Sequence, residues 1–423
     1  MDHEQKPAVT GQVSRLDAVR RKMRARHLRR VVLGGILILA AVLWLVCTFG
    51  SGLALAGDLS ESLRIGLMSG GGFPVKTNID EILQVEPLAG GFAELGRSDL
   101  AVVSSSGRVL RTIQHGYSRP AMAVGGHRFC LYGRAGTELR VESRTKTLDT
   151  MTFDNPLLLC SMAQNGSFAA VTRSGRFAAE LQVYDHAMQF VFGWSPTDAE
   201  GTPVRVSFAD DNRRLAVGTL RAEDGRIGSG IYWLDIRKDQ VQASAWAPGS
   251  TVLELRWVTR DKLLAVFDTH TAVYEADTGT ELARYEYNGG TLLAVDTSAK
   301  NTALLLNDGM GGISARLAVL DDDLVPLCET DVQDGAFGVV CTRTAAYSLA
   351  QNSVRSYTLA GELEWESPLT ETPKALLDTK QLLLFTGVQA DLLEPPRKKA
   401  AVEPESDTAR SAEEPAQSEG ENP

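Results

Sequence analysis

The sequence predicts an all-β fold, a propeller of seven or eight four-stranded blades, preceded by one transmembrane helix. Short apolar segments recur between turn residues along most of the chain, with hardly any helical period. The starts of longer repeats built from these segments are about 36 to 48 residues apart, close to the period of propeller blades. An uncharged apolar run precedes all of them and directly follows a basic arm.

Residues 1–30 form the basic arm, with nine Lys or Arg against three acidic residues. The whole chain has a net charge of -10, so the remainder is more acidic still and repels phosphates. We therefore expect no nucleic-acid partner. An amphipathic helix on anionic lipid is one interpretation of the arm, and a plain topology signal is the favoured one. The residues of that signal are Arg20, Arg21, Lys22, Arg24, Arg26, Arg29 and Arg30.

Residues 31–52 are predicted to form a single transmembrane helix, because an uncharged run of this length can cross about 30 Å of hydrocarbon. The basic arm precedes the run, so the positive-inside rule predicts a cytoplasmic N-terminus and an extracellular propeller in the cell membrane. A cleaved signal peptide ending at Ala54-Leu55-Ala56 is the alternative, disfavoured by the length of the apolar run. The predicted anchor residues are Val31, Leu33, Ile36, Leu37, Leu39, Val42, Leu43, Trp44 and Leu45.

Residues 53–72 are interpreted as a linker ending in glycines, and residues 73–394 as the propeller. Each repeat places a first strand, a turn, a second strand and then a hairpin, with glycine at turns such as Gly279 and Gly361. Four strands cannot bury both faces of their own sheet, whereas neighbouring sheets in a ring can. The first strands are expected to begin near Glu81, Pro120, Pro156, Val204, Val252, Gly290, Ala336 and Pro373.

The sequence also indicates how the ring closes. The last repeat, Pro373 to Glu394, supplies three strands, and residues 71–79 read as an isolated strand that can complete it. This count favours eight blades. Seven remains open because the repeat from Phe337 to Leu369 has a poorly defined second strand. Residues 395–423 are rich in Pro, Glu, Ser and Ala without an aromatic residue, and are expected to be a disordered acidic tail.

Two segments, Tyr274 to Leu282 and Leu359 to Trp365, resemble the strand-turn-strand element of quinoprotein-like and WD40-like propeller repeats. From about residue 20 to 394 the layout is similar to an uncharacterised family of Firmicutes proteins. That resemblance implies a single-pass membrane anchor and an external propeller, and it leaves activity open.

Chemistry-bearing motifs are sparse. The six histidines are scattered, and no nucleophile elbow, phosphate loop or metal-ligand spacing occurs. We therefore expect neither a cofactor nor an enzyme. Cys328 and Cys341 lie 13 residues apart in apolar strands; a disulfide between them is one alternative, and buried free thiols are the favoured one.

The leading hypothesis for function is a membrane-anchored extracytoplasmic propeller that acts as a binding or scaffold module. Its expected partners are the lipid bilayer, through the helix, and an envelope protein or polymer. Two alternatives stay open: a propeller enzyme, either quinoprotein dehydrogenase-like or polysaccharide-acting, and a transmembrane sensor.

Overall fold

The computed structural model describes residues 32–38, 40, 52–79, 81–298, 300–307 and 314–396. In these residues, 32 β-strands form eight antiparallel sheets of four strands. At most junctions the first strands of neighbouring sheets contact one another, and those of the first and eighth sheets, Ile82–Leu88 and Pro373–Asp378, also do so. The fold is therefore an eight-bladed propeller, and the eight-blade alternative is confirmed over seven.

Blades 1 to 7 each use four consecutive strands. Blade 1 contains β2–β5 (Ile82–Leu88, Gly91–Gly96, Asp99–Ser104, Val109–Gln114). Blade 2 contains β6–β9 (Pro120–Val124, Arg128–Gly133, Glu138–Ser143, Thr147–Thr152). Blade 3 contains β10–β13 (Leu157–Met162, Phe168–Thr172, Glu180–Tyr184, Phe190–Trp194). Blade 4 contains β14–β17 (Thr202–Phe208, Arg214–Glu223, Arg226–Asp235, Ala243–Pro248).

The second half of the ring follows the same order. Blade 5 contains β18–β21 (Val252–Trp257, Lys262–Phe267, His270–Glu275, Glu281–Glu286). Blade 6 contains β22–β25 (Thr291–Asp296, Thr302–Asn307, Ala315–Leu320, Pro326–Asp331). Blade 7 contains β26–β29 (Gly338–Cys341, Ala345–Leu349, Ser353–Thr358, Leu363–Pro368). Blade 8 combines β30–β32 with β1 (Pro373–Asp378, Leu382–Thr386, Gln389–Leu392, Val75–Lys76).

Burial explains which segments become strands. The second strands β3, β7 and β11 are buried at every position, because neighbouring blades cover both faces of the sheet. An outer strand such as β9 is mostly exposed, with only Leu148 and Met151 partly covered. The ambiguous second strand of blade 7 is β27, where Ala and Ser weaken the apolar pattern in the sequence. Its neighbours β26 and β28 pair with it along its whole length.

The ring closes between the first and last strands of the propeller, as the sequence predicts. Val75 pairs with Ala390 and Lys76 with Gln389, so β1 becomes the outer strand of blade 8. We call the junction of blades 8 and 1 the seam. Phe92 and Phe385 pack edge to face there with ring centroids 5.1 Å apart. Burying these rings stabilises the closed ring without a covalent link.

The seam also contains a buried acid. Glu94, on β3, is fully buried, and neither of its carboxylate oxygens has a hydrogen-bond partner in the described part of the chain. Burial raises the pKa of Glu94 to about 7, an effect partly offset by the nearby Thr77 hydroxyl. The seam therefore contains a carboxyl group that titrates near neutrality.

The segment expected to be a linker is largely helical. Residues Gly52–Gly66 form helix α1, with Asp58 and Ile65 buried against the propeller. No Pro interrupts the segment, and its acidic residues find basic partners on the propeller. The glycine-rich stretch from Gly70 to Gly72 then leads into β1.

The predicted transmembrane helix is only partly covered by the described residues. Residues 32–38 and 40 are helical, and Leu33, Ile36 and Leu37 are exposed. Within the described ranges, no helix combines the length and the apolar character needed to cross a membrane. The remaining anchor and topology residues and the tail from 397 lie outside the described residues: Val31, Leu39, Val42, Leu43, Trp44, Leu45, Arg20, Arg21, Lys22, Arg24, Arg26, Arg29 and Arg30.

Candidate functional site

The propeller has two faces that differ in what they carry. Loops after the first and third strands of each blade form one face, and α1 lies on it; we call this the helix face. Loops after the second and fourth strands form the other face. We call that the hairpin face, after the long β15–β16 hairpin at Glu223 to Arg226. The central channel runs between the two faces.

Asp58 attaches α1 to blades 2 and 3. Its carboxylate lies 3.2 Å from Nε of Arg128, and both side chains are buried. Arg128 begins β7, and its Nη1 also donates to the carbonyl oxygen of His186 at 2.6 Å. One guanidinium therefore joins the helix, the second blade and a turn of the third.

Glu61 and Ser62 make a second attachment, around Arg144. The carboxylate of Glu61 lies 3.3 Å from Nη2 of Arg144 and accepts hydrogen bonds from the Ser143 hydroxyl and the Thr145 backbone. Arg144 Nη2 donates to Ser62 Oγ at 2.7 Å, and Nη1 donates to the Ala89 carbonyl at 2.6 Å. Removing one member of such a buried pair leaves the other charged without a partner. We call the Asp58–Arg128 and Glu61–Arg144 pairs the latch.

The channel contains opposed charges. A cavity of about 460 Å³ lies between the inner strands of blades 1 to 5, lined by Glu86, Arg205 and Glu254 among others. Arg205 Nε lies 3.9 Å from Glu254, and its guanidinium also donates to the carbonyls of Val204 and Leu253. Arg205 thus joins the inner strands of blades 4 and 5 while facing the cavity.

Both cavity glutamates have a raised pKa. For Glu86 the main cause is burial; the Gln84 amide, which donates to its carboxylate at 3.0 Å, partly offsets it. For Glu254 burial again dominates, and Arg205 opposes it. The negative charge of Glu86 further raises the pKa of Glu254, and that of Asp296 further raises the pKa of Glu86. Acids with a raised pKa in a cavity are suited to proton transfer or to binding polar ligands.

Further acids extend the channel toward the helix face. Asp296 Oδ2 accepts a hydrogen bond from the Cys341 backbone at 2.7 Å and so joins blades 6 and 7. Burial and the nearby Asp296 raise the pKa of Asp378. Even so, no three His, Cys, Asp or Glu side chains in the described ranges are grouped to hold a metal ion. These acids connect blades or face solvent in the channel.

The β15–β16 hairpin is the longest in the described part of the ring. Its strands have ten residues each, where most others have five or six. Asp224 and Gly225 both have positive φ, 51° and 76°, as the tight turn of a two-residue hairpin requires. Arg221 stacks on Trp246 of β17 at 4.2 Å, which supports the base of the projecting part. The Asp224-Gly225 pair is the sequence signal for this hairpin, which the repeat of apolar segments alone does not predict.

The cysteines outside the predicted membrane helix are free thiols. Cys328 and Cys341 are buried in one apolar cluster between blades 6 and 7, and the structure forms no bond between them. Burial raises the pKa of the Cys341 thiol to about 12, which keeps it protonated and unreactive at neutral pH.

Comparison with protein families places the chain in a group without an assigned role. Residues 74–391 match a family of unknown function, DUF5711. The match covers most of the chain and nearly all of the propeller, and the chain belongs to this family. A search of curated proteins finds no match.

Solved structures share the fold at low sequence identity. The computationally designed Ika8 protein is 14% identical, with a TM-score of 0.51 over 77% of this chain and 98% of that one. The C-terminal WD40 domain of Sif2 is 12% identical, with a TM-score of 0.53 over 76% and 97%. The quinohemoprotein alcohol dehydrogenase ADHIIG from Pseudomonas putida HK5 is 10% identical, with a TM-score of 0.53 over 75% and 72%. Such identities establish the propeller fold alone.

Proposed function

We propose that this chain is a membrane-anchored extracytoplasmic scaffold whose propeller binds an envelope protein or polymer. One observation carries the proposal. Helix α1 begins at Gly52, where the predicted membrane helix ends, and the latch fixes it to blades 1 to 3. A flexible tether would let the propeller tumble, whereas these buried ion pairs fix the propeller to the helix that follows the predicted anchor in the chain.

That orientation leaves the hairpin face free for a partner. The hairpin tip, residues 222–227, is exposed and combines Glu223, Asp224 and Arg226 with Ile227, whose side chain is 66% exposed. Charged and apolar groups side by side on a rigid projection suit recognition of another protein. We therefore assign the partner-binding surface to this hairpin.

Crosslinking in intact cells tests the proposal. A photo-reactive amino acid at position 227 of the full chain is expected to give one discrete adduct after illumination, identified by mass spectrometry. The matched control is the same amino acid at Leu363, which is also exposed but lies on the outer strand of blade 7. Adducts of equal yield and variety at both positions would contradict a partner site on the hairpin.

A shortened hairpin separates binding from folding. Deleting Ala222, Glu223, Arg226 and Ile227 removes two residues from each strand and keeps the Asp224-Gly225 turn in register. The variant is expected to reach the membrane in normal amounts and to lose the partner when the full-length protein is affinity-purified. Full retention of the partner would count against the proposed surface.

An enzyme is the second candidate, favoured by the raised pKa values of Glu86 and Glu254 in one cavity. Two such carboxylates are suited to general acid-base cleavage of a polysaccharide. Incubating the purified full chain with envelope polysaccharides, beside the Glu254→Gln variant, tests this function. Product release by the unmodified chain that the variant lacks would support it, and no release from either would exclude it for those substrates.

A further inference from the structure

Helix α1 has two different sides. The side toward the propeller contains Asp58, Glu61, Ser62 and Ile65, which have the i, i+3, i+4, i+7 spacing of one helix face. The other side contains Leu59, Leu63 and Leu67, which are 64%, 70% and 88% exposed. The amide of Leu67 donates to the Leu63 carbonyl at 3.1 Å, so the third leucine continues the same helical turn. We call these three residues the leucine stripe.

We infer that the leucine stripe lies in the interfacial region of an anionic lipid bilayer, so that the helix face of the propeller faces the membrane. The inference rests on the proposed membrane anchor and extends it to the side of the propeller that meets the lipid. Three isolated leucines on a soluble surface would be unremarkable. Three in one line, directly after a predicted membrane segment in the sequence, indicate a single apolar contact.

Chain continuity limits where α1 can lie. The predicted membrane helix ends at residue 52, and α1 begins at Gly52. A helix rises about 1.5 Å per residue, so Leu59 is at most about 11 Å along the chain from that end. Leu59 is therefore close to the surface of the same leaflet, and α1 keeps Leu63 and Leu67 at that surface when its axis lies along the membrane plane.

The charges around α1 match an anionic surface. The cavities on either side of the helix are lined by exposed Arg64, Lys146 and Lys380. The acids in the same cavities, Asp58 and Glu61, are paired with the latch arginines. In these two cavities the exposed charges are therefore positive, and cations near a membrane surface strengthen binding to anionic lipid.

A second copy of the chain fits the stripe less well. Three leucines offer far less area than the roughly 1,200 to 2,000 Å² that a stable interface buries. A symmetric pair of helices would also bring Arg64 and Lys146 of each copy close to the same residues of the other. A lipid surface needs no such interface area and brings no like charges together, so we assign the leucine stripe to the bilayer.

Depth-dependent quenching tests the inference on the full chain. Position 63 is labelled through Leu63→Cys in a Cys47→Ser background, because the described cysteines are buried and react poorly. The protein is reconstituted into phosphatidylglycerol/phosphatidylcholine vesicles that contain brominated lipid. Ile227→Cys, 66% exposed on the hairpin face, is the matched control. Quenching at position 63 is expected to exceed that at position 227 at least twofold, and to fall when phosphatidylcholine alone is used.

The outcomes separate this inference from the proposed function. Equal, weak quenching at both positions, with the protein still resistant to carbonate extraction, would overturn the inference and leave the anchor standing. Release of the protein by carbonate would overturn the anchor and the inference together. Efficient disulfide crosslinking between two unlabelled Leu63→Cys chains would assign the stripe to a second copy. Quenching independent of anionic lipid would overturn the assigned charge preference.

Discussion

The latch and the seam both bury carboxylates, with opposite consequences. In the latch, Asp58 lies 3.2 Å from Arg128 and Glu61 lies 3.3 Å from Arg144, and the Ser143 hydroxyl and the Thr145 backbone donate to the other oxygen of Glu61. In the seam, Glu94 has no partner for either oxygen among the described residues. The latch therefore depends on its charges, whereas the seam tolerates its acid by taking up a proton.

The difference shows that burial alone does not decide what an acid does for a fold. A buried acid that is paired with an arginine specifies where one element lies on another, since breaking the pair leaves an isolated buried charge. A buried acid without such a partner makes the stability of the fold depend on pH. The latch sets the position of α1, and the seam depends on apolar contacts such as Phe92 with Phe385 for its closure.

The largest expected effect comes from breaking the latch. Arg144→Met leaves Glu61 buried without its cation and removes the hydrogen bonds to Ser62 and Ala89. We expect the free energy needed to detach α1 from the propeller to fall by about 3 to 5 kcal/mol. Hydrogen exchange of the full chain in detergent should show lost amide protection in residues 57–66, with the blades unchanged.

Arg64→Met is the control for this variant, because Arg64 is on the same helix but exposed. This variant should leave the amide hydrogen exchange of α1 unchanged. Equal loss of protection in both variants would mean that the pairing with Glu61 does not hold α1 in place.

The second effect concerns the seam and depends on pH. The pKa of Glu94 is higher in the folded than in the unfolded chain, so the folded state binds more protons between about pH 4.5 and 7. Stability therefore falls as pH rises through this window and levels off above it. Above this window, ionised Glu94 lowers the free energy of unfolding by about 3 kcal/mol. Relative to the unmodified chain, Glu94→Gln should become more stable by about that amount between pH 5 and pH 8.

Denaturant titrations at both pH values, followed by tryptophan fluorescence, measure this difference. Comparing the two proteins at each pH cancels the titration of other groups. A constant difference between them from pH 5 to pH 8 would show that Glu94 is ionised throughout and has a partner in solution.

The smallest effect is expected for an exposed acid beside the same seam. Glu81 pairs with Arg97 at 2.8 Å, but more than half of each side chain is exposed. Water and salt screen such a pair, so Glu81→Gln should leave the unfolding midpoint unchanged within error at both pH values. A clear shift in this midpoint would contradict the expectation that exposed acids, unlike buried ones, have little effect on stability.

Much of the ring was predictable because its signal repeats. The predicted first strands begin within about two residues of the observed ones, at Pro120, Val252 and Pro373 without any difference. Closure by residues near Val75 was predictable too, since an isolated strand at one end matched a missing strand at the other. The long hairpin of blade 4 had its Asp-Gly signal in the sequence, and only its length beyond the blade needed the structure.

The candidate sites were less predictable, because their residues are distant in sequence. Asp58 and Arg128 lie 70 positions apart, and Glu61 and Arg144 lie 83 apart. The segment containing Asp58 and Glu61 was expected to be a linker, since its apolar and acidic residues gave no sign of a partner. Glu86 and Glu254 line the same cavity only because blades 1 and 5 face a common central channel.

By itself, the sequence determined the local pattern of this protein: the alternation that makes strands, the turns between them and the period that makes eight blades. The strands and turns depend on neighbours within one blade, and the number of blades follows from how often this unit of about 40 residues recurs. Only the tertiary structure decided which charges are paired and which are not. Whether a carboxylate meets an arginine, an apolar seam or a channel depends on ring closure and helix docking, which bring together residues that no local pattern connects.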